Sequence, residues 1–97
     1  MPPVIFEDRA VLGADRYLQE VRISTFPPDA HFPEGVRYSL CLIDRMTNEV
    51  VLLYDIHRGK SHHRHLRGHE TSYAFVDEDA LLTDFLREVD LILEGKL

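Results

Sequence analysis

Residues 36–56 read VRYSLCLIDRMTNEVVLLYDI, and this stretch decides the fold. Its two ends, 36–43 and 49–56, are rich in β-branched and aromatic residues, which favour strands. The five residues 44–48 between them have the length of a hairpin connection, so the two runs are predicted to form an antiparallel hairpin. Residues 50–54 show no alternation with polar residues, which predicts a central strand covered on both faces.

Further strands are predicted on both sides of this hairpin. Residues 16–26 form a β-rich run that stops at Pro27 and Pro28, because proline can neither continue a strand nor donate to its hydrogen-bond ladder. Residues 71–76 alternate between two faces, which predicts a fourth strand. A polar segment separates this strand from the hairpin.

A helix is predicted after the last strand. Asp77 or Asp79 can cap its first turn, and Gly95 can end it. Leu91 projects onto the polar face of this helix, and a lone surface leucine needs no functional explanation. The apolar residues that share one core-facing arc are Leu81, Leu82, Phe85, Leu86, Val89, Ile92 and Leu93.

These elements predict an α+β fold, in which an antiparallel sheet of four or five strands carries the C-terminal helix on one face. A chain of 97 residues is long enough to build one hydrophobic core, so residues 1–97 are predicted to form a single domain. The composition, 44% apolar and 29% charged, is that of a globular protein rather than a disordered chain.

Charge and cysteine content limit the functional classes. The net charge of −6 argues against a surface that wraps nucleic acid, since phosphate binding requires clustered cations. The single cysteine, Cys41, excludes an internal disulfide and favours a reducing compartment. The N-terminus lacks the basic and apolar regions of a signal peptide, and the apolar run 50–54 is too short to span a membrane. We therefore expect a cytoplasmic protein without a membrane segment.

The histidines are concentrated in one segment. Residues 54–69, YDIHRGKSHHRHLRGH, hold five of the six histidines and four of the eleven lysines and arginines. With one carboxylate, Asp55, this segment carries a charge of +3, while the rest of the chain carries −9. The sequence thus predicts a cationic, titratable island on an acidic body, and this island is the candidate functional site.

Two familiar chemistries fit the island poorly. Gly59-Lys60-Ser61 copies the end of a nucleotide-binding P-loop, but the motif needs a glycine where this chain has Tyr54. His63 and His65 would share one face of an extended backbone, and His57 or His69 could complete a metal site. Paired cysteines and the His-Glu-x-x-His pattern are absent from the sequence, so we predict no metal and no cofactor.

Acid-base chemistry on a phosphodiester is the third interpretation. RNA cleavage without a metal needs one group that takes a proton, one that gives a proton, and cations that stabilise the phosphorane, and histidine, lysine and arginine suit these tasks. A solvated polar connection or a partner-binding surface would have a similar composition, so catalysis, binding and a plain loop remain equal alternatives at this point. The candidates are His57, His63 and His65 as proton carriers, Lys60, Arg64, Arg58 and Arg67 as phosphate-binding cations, and Asp55 as an orienting group.

A resemblance to a known family favours one of these alternatives. Over residues 36–89 the chain resembles the TumE toxins of bacterial type II toxin-antitoxin modules. The family segment usually reads Gly-Lys-Gly-Asp-His-Arg-His, and this chain departs from it at Ser61 and His62. The residues that carry the resemblance are Tyr54, Asp55, Gly59, Lys60, His63, Arg64, His65, Glu70, Tyr73, Phe75, Asp84, Phe85 and Leu86.

The resemblance implies a small cytoplasmic toxin that inhibits growth and is neutralised by a helix-turn-helix DNA-binding antitoxin. Our hypothesis is a metal-independent ribonuclease with RNA as substrate. His63 and His65 would transfer protons, Lys60 and Arg64 would hold the phosphate, and Asp55 would orient one histidine. Two competing hypotheses are a module that binds nucleic acid or protein without catalysis, and a toxin that transfers a group such as a nucleotidyl group.

Two further expectations concern surfaces outside the motif. Arg22 and Arg37 lie on predicted strands and can extend the cationic patch, although a solvated strand face is the better explanation for both. A homodimer is compatible with a domain of this size, and Leu91 and the strand edges are its candidate contacts.

Overall fold

The protein is an antiparallel sheet with one helix on one face, as seen in a computed structural model that describes residues 4–56 and 61–97. The elements in chain order are β1 (Val4–Leu12), β2 (Tyr17–Thr25), β3 (Val36–Asp44), β4 (Glu49–Ile56), β5 (His62–Leu66), β6 (His69–Ser72) and α1 (Glu78–Leu93). The six strands lie in the sheet in sequence order, and each neighbouring pair is antiparallel.

The predicted hairpin is confirmed as β3 and β4. Leu40 lies opposite Tyr54 in the register, and Leu42 lies opposite Leu52. The register then shifts, because Ile43 pairs with Val50 and leaves one extra residue in β4. This residue, Val51, forms a β-bulge and is buried beside Leu52. The bulge explains why the apolar run does not alternate.

The α+β class is confirmed, but the number of strands is not. Over residues 4–56 and 61–97 the sheet has six strands rather than four or five, because β1 and a second hairpin, β5 with β6, were not predicted. The strand predicted at 71–76 is wrong, since β6 ends at Ser72. Tyr73 and Phe75 alternate because they pack against the core as the chain leads into the helix. The histidine run, for which the sequence predicts only a polar segment, supplies β5.

β1 escapes prediction because it lies at the edge of the sheet. Among the strands of the described residues its only neighbour is β2, and its centre is the charged sequence Glu7-Asp8-Arg9. An edge strand with solvent on its outer side does not need the apolar pattern on which strand prediction depends. Most of its side chains are exposed.

The two faces of the sheet differ. One face packs against α1 and contains the core, in which Val36, Leu40, Leu42, Leu52 and Phe85 are almost fully buried. The other face, which we call the open face, carries alternate residues of every strand. β4 is an interior strand as predicted, but its open-face residues are only partly buried, so the prediction of two covered faces is wrong.

The helix has the predicted boundaries. The Asp77 side chain accepts a hydrogen bond from the Ala80 amide at 2.7 Å and caps the first turn. Gly95 has a φ of +74°, and its amide and that of Lys96 donate to Ile92 and Leu91 in a Schellman motif. Leu91 is half-buried, whereas Leu86 and Leu93 lie at the exposed margins of the stripe. Within 4–56 and 61–97, no helix is long and apolar enough to cross a bilayer.

Two loop glycines, Gly35 and Gly68, have positive φ but differ in the space around them. Gly35 has a φ of +68°, and a Cβ there would lie 2.4 Å from the carbonyl oxygen of Phe26. Gly68 also has a positive φ, but a Cβ there would meet nothing within 4 Å.

We expect Gly68→Ala to cost about 1–2 kcal/mol of unfolding free energy from backbone strain. We expect Gly35→Ala to cost roughly 1–3 kcal/mol more because of the steric clash. Equal losses in urea denaturation would contradict this.

Candidate functional site

The histidine motif is divided between the two faces of the sheet by the alternation of β5. Asp55 lies opposite His63 and Tyr54 lies opposite Arg64 in the β4–β5 register. Since successive side chains of a strand point to opposite faces, Arg64 lies on the helix side with Tyr54, and His63 lies on the open face with Asp55. His65 lies two residues further along β5, so it shares the open face with His63.

Two histidines and two carboxylates meet on the open face. Nε2 of His65 lies 3.5 Å from Oδ1 of Asp55 and 3.5 Å from Oε1 of Glu70. Nδ1 of His63 lies 3.4 Å from the same Glu70 oxygen. The two imidazole centroids are 6.4 Å apart. We call Asp55, His63, His65 and Glu70 the open-face cluster.

The cluster has the geometry of carboxylate-oriented imidazoles. A carboxylate beside one ring nitrogen orients an imidazole and stabilises the imidazolium that forms when the ring takes up a proton. Nε2 of His65 is buried between the two carboxylates and makes no hydrogen bond within the described part of the chain. The histidine side chains remain 22% and 26% exposed. The cluster can therefore exchange protons with a molecule bound on the open face.

Two arginines lie beside this cluster on the same face. Ser39 on β3 stands opposite Asp55 on one side and opposite Arg22 on the other. A shallow cavity of about 300 Å³ is lined by Arg22, Arg37, Ser39 and their neighbours. Arg22 lies 3.4 Å from Glu7, whereas Arg37 has no ion pair within residues 4–56 and 61–97. These cations extend the open-face site toward β2, where an anionic group can bind.

Arg64 lies under the helix. Its guanidinium donates to both carboxylate oxygens of Glu88, at 2.7 Å from Nε to Oε1, and the hydroxyl of Tyr54 also donates to Glu88. Burial would raise the pKa of Glu88, but the hydrogen bonds from Arg64 and Tyr54 outweigh it and hold the pKa below its usual value. The hydrogen bond to Glu88 raises the pKa of Arg64. The structure does not bring Arg64 together with His63 and His65.

His62 also lies on the helix side, where it is part of the packing. The residue is 8% exposed, and Nδ1 lies 2.8 Å from the hydroxyl of Tyr38. Nε2 contacts the carboxylate of Glu34. The ring stacks on Phe75 with centroids 4.7 Å apart. If His62 is neutral, an Nε2–H that donates to Glu34 and a Tyr38 hydroxyl that donates to Nδ1 satisfy both ring nitrogens.

The remaining candidates of the sequence lie elsewhere. His57, Arg58 and Lys60 lie outside the described residues. Arg67 lies in the turn between β5 and β6, has a φ of +49°, and donates to the carbonyl oxygen of Leu97 at 3.0 Å. His69, which begins β6, is exposed. Within residues 4–56 and 61–97, no group of three or more His, Cys, Asp or Glu side chains is arranged to hold a metal ion.

The predicted cationic island is therefore largely compensated where the structure describes it. Arg64 pairs with Glu88, His62 contacts Glu34, and both open-face histidines lie near Glu70. Each of these carboxylates comes from outside residues 54–69.

Two residues at the site, Glu70 and Glu88, were not predicted as site residues, although Glu70 belongs to the motif that carries the family resemblance. Glu70 follows from the register, because the turn Arg67-Gly68 sets His65 opposite Glu70. Both turn residues have positive φ, as in a two-residue hairpin. Glu88 lies within the apolar stripe of the helix, between Phe85 and Ile92, and a carboxylate at such a position signals a buried partner.

Comparison with known proteins identifies the family. A family model described as toxin TumE matches residues 2–93. The chain belongs to the TumE toxin family. No curated protein and no solved structure matches the chain. Membership in this toxin family implies in general an antitoxin partner. In this TumE-family toxin the motif His63-Arg64-His65 has two sides, with histidines on the open face and the arginine under the helix.

The Arg64–Glu88 pair predicts a specific pattern of stability. Arg64→Met should lower the unfolding free energy by roughly 3–5 kcal/mol, because it leaves the Glu88 carboxylate buried without its counterion. Adding Glu88→Gln should recover a large part of this loss, since the amide is neutral and its oxygen can still accept from Tyr54. Chemical denaturation of both variants tests this. A double variant less stable than Arg64→Met would contradict the assignment.

The same pair predicts a pH dependence. The pKa of Glu88 is lower in the folded protein than in the unfolded chain, so the unfolded chain binds more protons in the acid range and stability falls as the pH decreases. The contribution should be complete above the unfolded pKa of about 4.3 and should disappear as the pH falls through the folded pKa. Glu88→Gln should flatten the stability curve below that pH. Asp44, whose pKa Arg16 lowers, leaves a residual slope in both proteins.

Proposed function

We propose that this protein is the toxin of a type II toxin-antitoxin module and acts as a metal-independent ribonuclease. The observation that supports this proposal is the open-face cluster, in which two imidazoles with centroids 6.4 Å apart each lie beside a carboxylate. Two proton carriers that share one face are what cleavage of RNA by its own 2′-hydroxyl requires.

The proposed reaction needs two proton transfers. One histidine takes the proton from the 2′-hydroxyl as its oxygen attacks phosphorus. The bond from phosphorus to the 5′-oxygen breaks, and the other histidine gives a proton to that oxygen. The products are a 2′,3′-cyclic phosphate and a 5′-hydroxyl end.

The surrounding carboxylates suggest a division of roles. Nε2 of His65 lies 3.5 Å from both Asp55 and Glu70, so two carboxylates orient its ring. We assign His65 as the general acid and His63 as the general base. In this assignment Nδ1 of His65 and Nε2 of His63 exchange protons with RNA, because the opposite nitrogens lie at the carboxylates.

Phosphate binding is assigned to the cations of the open face. Arg37 and Arg22 line the cavity beside the cluster and can hold a neighbouring phosphate. Lys60, Arg58 and His57 remain candidates for the scissile phosphate on the basis of the family resemblance alone. Arg64 is not assigned to phosphate in this proposal because its guanidinium is held by Glu88. Its role here is to position β5 against the helix.

The partner and compartment follow from the family resemblance. We propose a helix-turn-helix antitoxin that binds DNA and neutralises the toxin by direct contact in the cytoplasm. The chain outside residues 54–69 carries a charge of −9, so RNA would approach at one patch and the acidic remainder would stay available to a protein partner.

Purified protein and labelled RNA test the reaction. We expect cleavage with 2′,3′-cyclic phosphate ends that persists in EDTA, and a loss of roughly 10²–10⁴-fold in rate for His63→Ala or His65→Ala. His69→Ala is the matched control, since it removes an exposed histidine at the start of β6, and it should cleave normally. Loss of all activity in EDTA, or transfer of a nucleotidyl group, would overturn the ribonuclease proposal. RNA binding without cleavage would favour a binding module.

A modified substrate separates the acid from the base. RNA with sulfur in place of the bridging 5′-oxygen has a better leaving group, which departs without a general acid. We expect this substrate to restore most of the activity of His65→Ala and little of that of His63→Ala. The reverse pattern would exchange the two roles, and rescue of neither variant would contradict the acid-base assignment.

A further inference from the structure

The outer edge of β1 has no neighbouring strand within the described residues. β1 is nine residues long and pairs only with β2. Its large apolar side chains are exposed, at 68% for Val4, 47% for Ile5, 50% for Phe6 and 48% for Val11. Natural sheets usually protect an edge with charged side chains, especially lysine, or with proline, a bulge or a covering element, because unpaired backbone groups attract another strand. β1 contains neither lysine nor proline, its register with β2 is regular, and its charged residues are confined to Glu7, Asp8 and Arg9 at the centre.

The sequence of β1 is self-complementary about its centre. It reads VIFEDRAVL, and reversing the strand about Asp8 sets apolar residues opposite apolar residues. The same reversal sets Glu7 opposite Arg9. The pairs are Val4 with Leu12, Ile5 with Val11, Phe6 with Ala10, and Glu7 with Arg9.

We infer that β1 pairs antiparallel with β1 of a second copy about a two-fold axis at Asp8. The two six-stranded sheets then form one continuous sheet. Each pair joins residues of equal parity, so Glu7 meets Arg9 of the other copy on the open face, and Phe6 meets Ala10 on the helix side. Both helices lie on one side of the joined sheet, and both open faces lie on the other.

The charges on the open face support this register. Within one copy Glu7 pairs with Arg22 at 3.4 Å, and Arg9 lies opposite Glu20. Across the seam the row therefore alternates in sign from Arg22 through Glu7 to Arg9 and Glu20 of the other copy. Opposite charges on neighbouring strands stabilise a sheet, whereas like charges directly opposite destabilise it.

The contact between the two Asp8 residues at the axis destabilises the dimer, and a substitution there should change its affinity. Asp8 meets Asp8 of the other copy at the axis, which places two like charges opposite each other. The interface is a single pair of strands, so we expect a dimer that dissociates on dilution. Asp8→Asn removes the repulsion and should lower the dimer dissociation constant roughly two- to five-fold.

Complementary charge reversals give the decisive test. Glu7→Arg sets the new arginine against Arg9 of the other copy, and Arg9→Glu sets the new glutamate against Glu7 of the other copy. Each variant alone should raise the dissociation constant roughly tenfold or more, because two repulsive pairs form. An equimolar mixture should form a heterodimer with the affinity of the original protein. In the heterodimer, position 7 of each copy lies opposite position 9 of the other, and both of these pairs join an arginine to a glutamate. Sedimentation equilibrium and native mass spectrometry measure this.

Matched controls separate the seam from general charge effects. Glu49→Arg and Arg87→Glu make the same changes in charge on exposed residues outside β1 and should leave dimerisation unchanged. Circular dichroism and thermal unfolding check that every variant is folded. A chain that is monomeric at all concentrations overturns the inference, as does a mixture that fails to associate. Loss of antitoxin binding in the β1 variants of such a monomer would assign the edge to the antitoxin instead.

Discussion

The ion pair between Arg64 and Glu88 is the interaction on which the arrangement of this protein depends. It joins the middle of β5 to the buried face of the helix, and the hydroxyl of Tyr54 adds β4 to the same carboxylate. A buried carboxylate requires a counterion, so Arg64 must lie under the helix. Because β5 is a strand, His63 and His65 must then lie on the other face. One electrostatic requirement in the core thus decides which side chains face outward.

The distribution of charge follows the same logic. Segment 54–69 is cationic in sequence, but within the described residues Arg64 and the histidines at 62, 63 and 65 lie beside carboxylates from the rest of the chain. Glu70 lies beside the histidines of the open face, and on the helix side Glu34 contacts His62 and Glu88 binds Arg64. In the proposed reaction, RNA would therefore be attracted by cations other than the histidine cluster, such as Arg22 and Arg37 beside it.

Local sequence patterns predicted the parts of the fold that local forces determine. The β3–β4 hairpin, β2 and the helix with its Asp77 cap were predicted because their apolar periodicity and turn residues are strong. β1 was missed because an exposed edge does not require apolar alternation. The β5–β6 hairpin was missed because histidine and arginine are not typical strand residues and because Arg67-Gly68 is an unusual turn. β5 is held by its register with β4 and by Glu88, which lies 24 residues after Arg64.

The candidate site was predictable to the same extent. A spacing of two places His63 and His65 on one face of a strand, and the same rule separates Arg64 from them once β5 is recognised. The contributions of Glu70 and Glu88 depend on hairpin register and helix packing, and a sequence reveals these only through the position of a carboxylate where an apolar residue is expected. Asp55 was found because it is the one carboxylate among residues 54–69 and follows the apolar run 50–54 directly.

The bulge at Val51 affects which face of the sheet Asp55 occupies, although Val51 is not part of the open-face cluster. Before the bulge, Val50 lies on the open face, and after it Tyr54 faces the helix and Asp55 faces outward. A regular strand of the same length would put every later residue of β4 on the wrong side, with Asp55 in the core and the tyrosine in water. The bulge takes up the extra residue and so preserves the phase of the strand. Deletion of Val51 would therefore leave a regular strand, with Tyr54 still under the helix and Asp55 still on the open face.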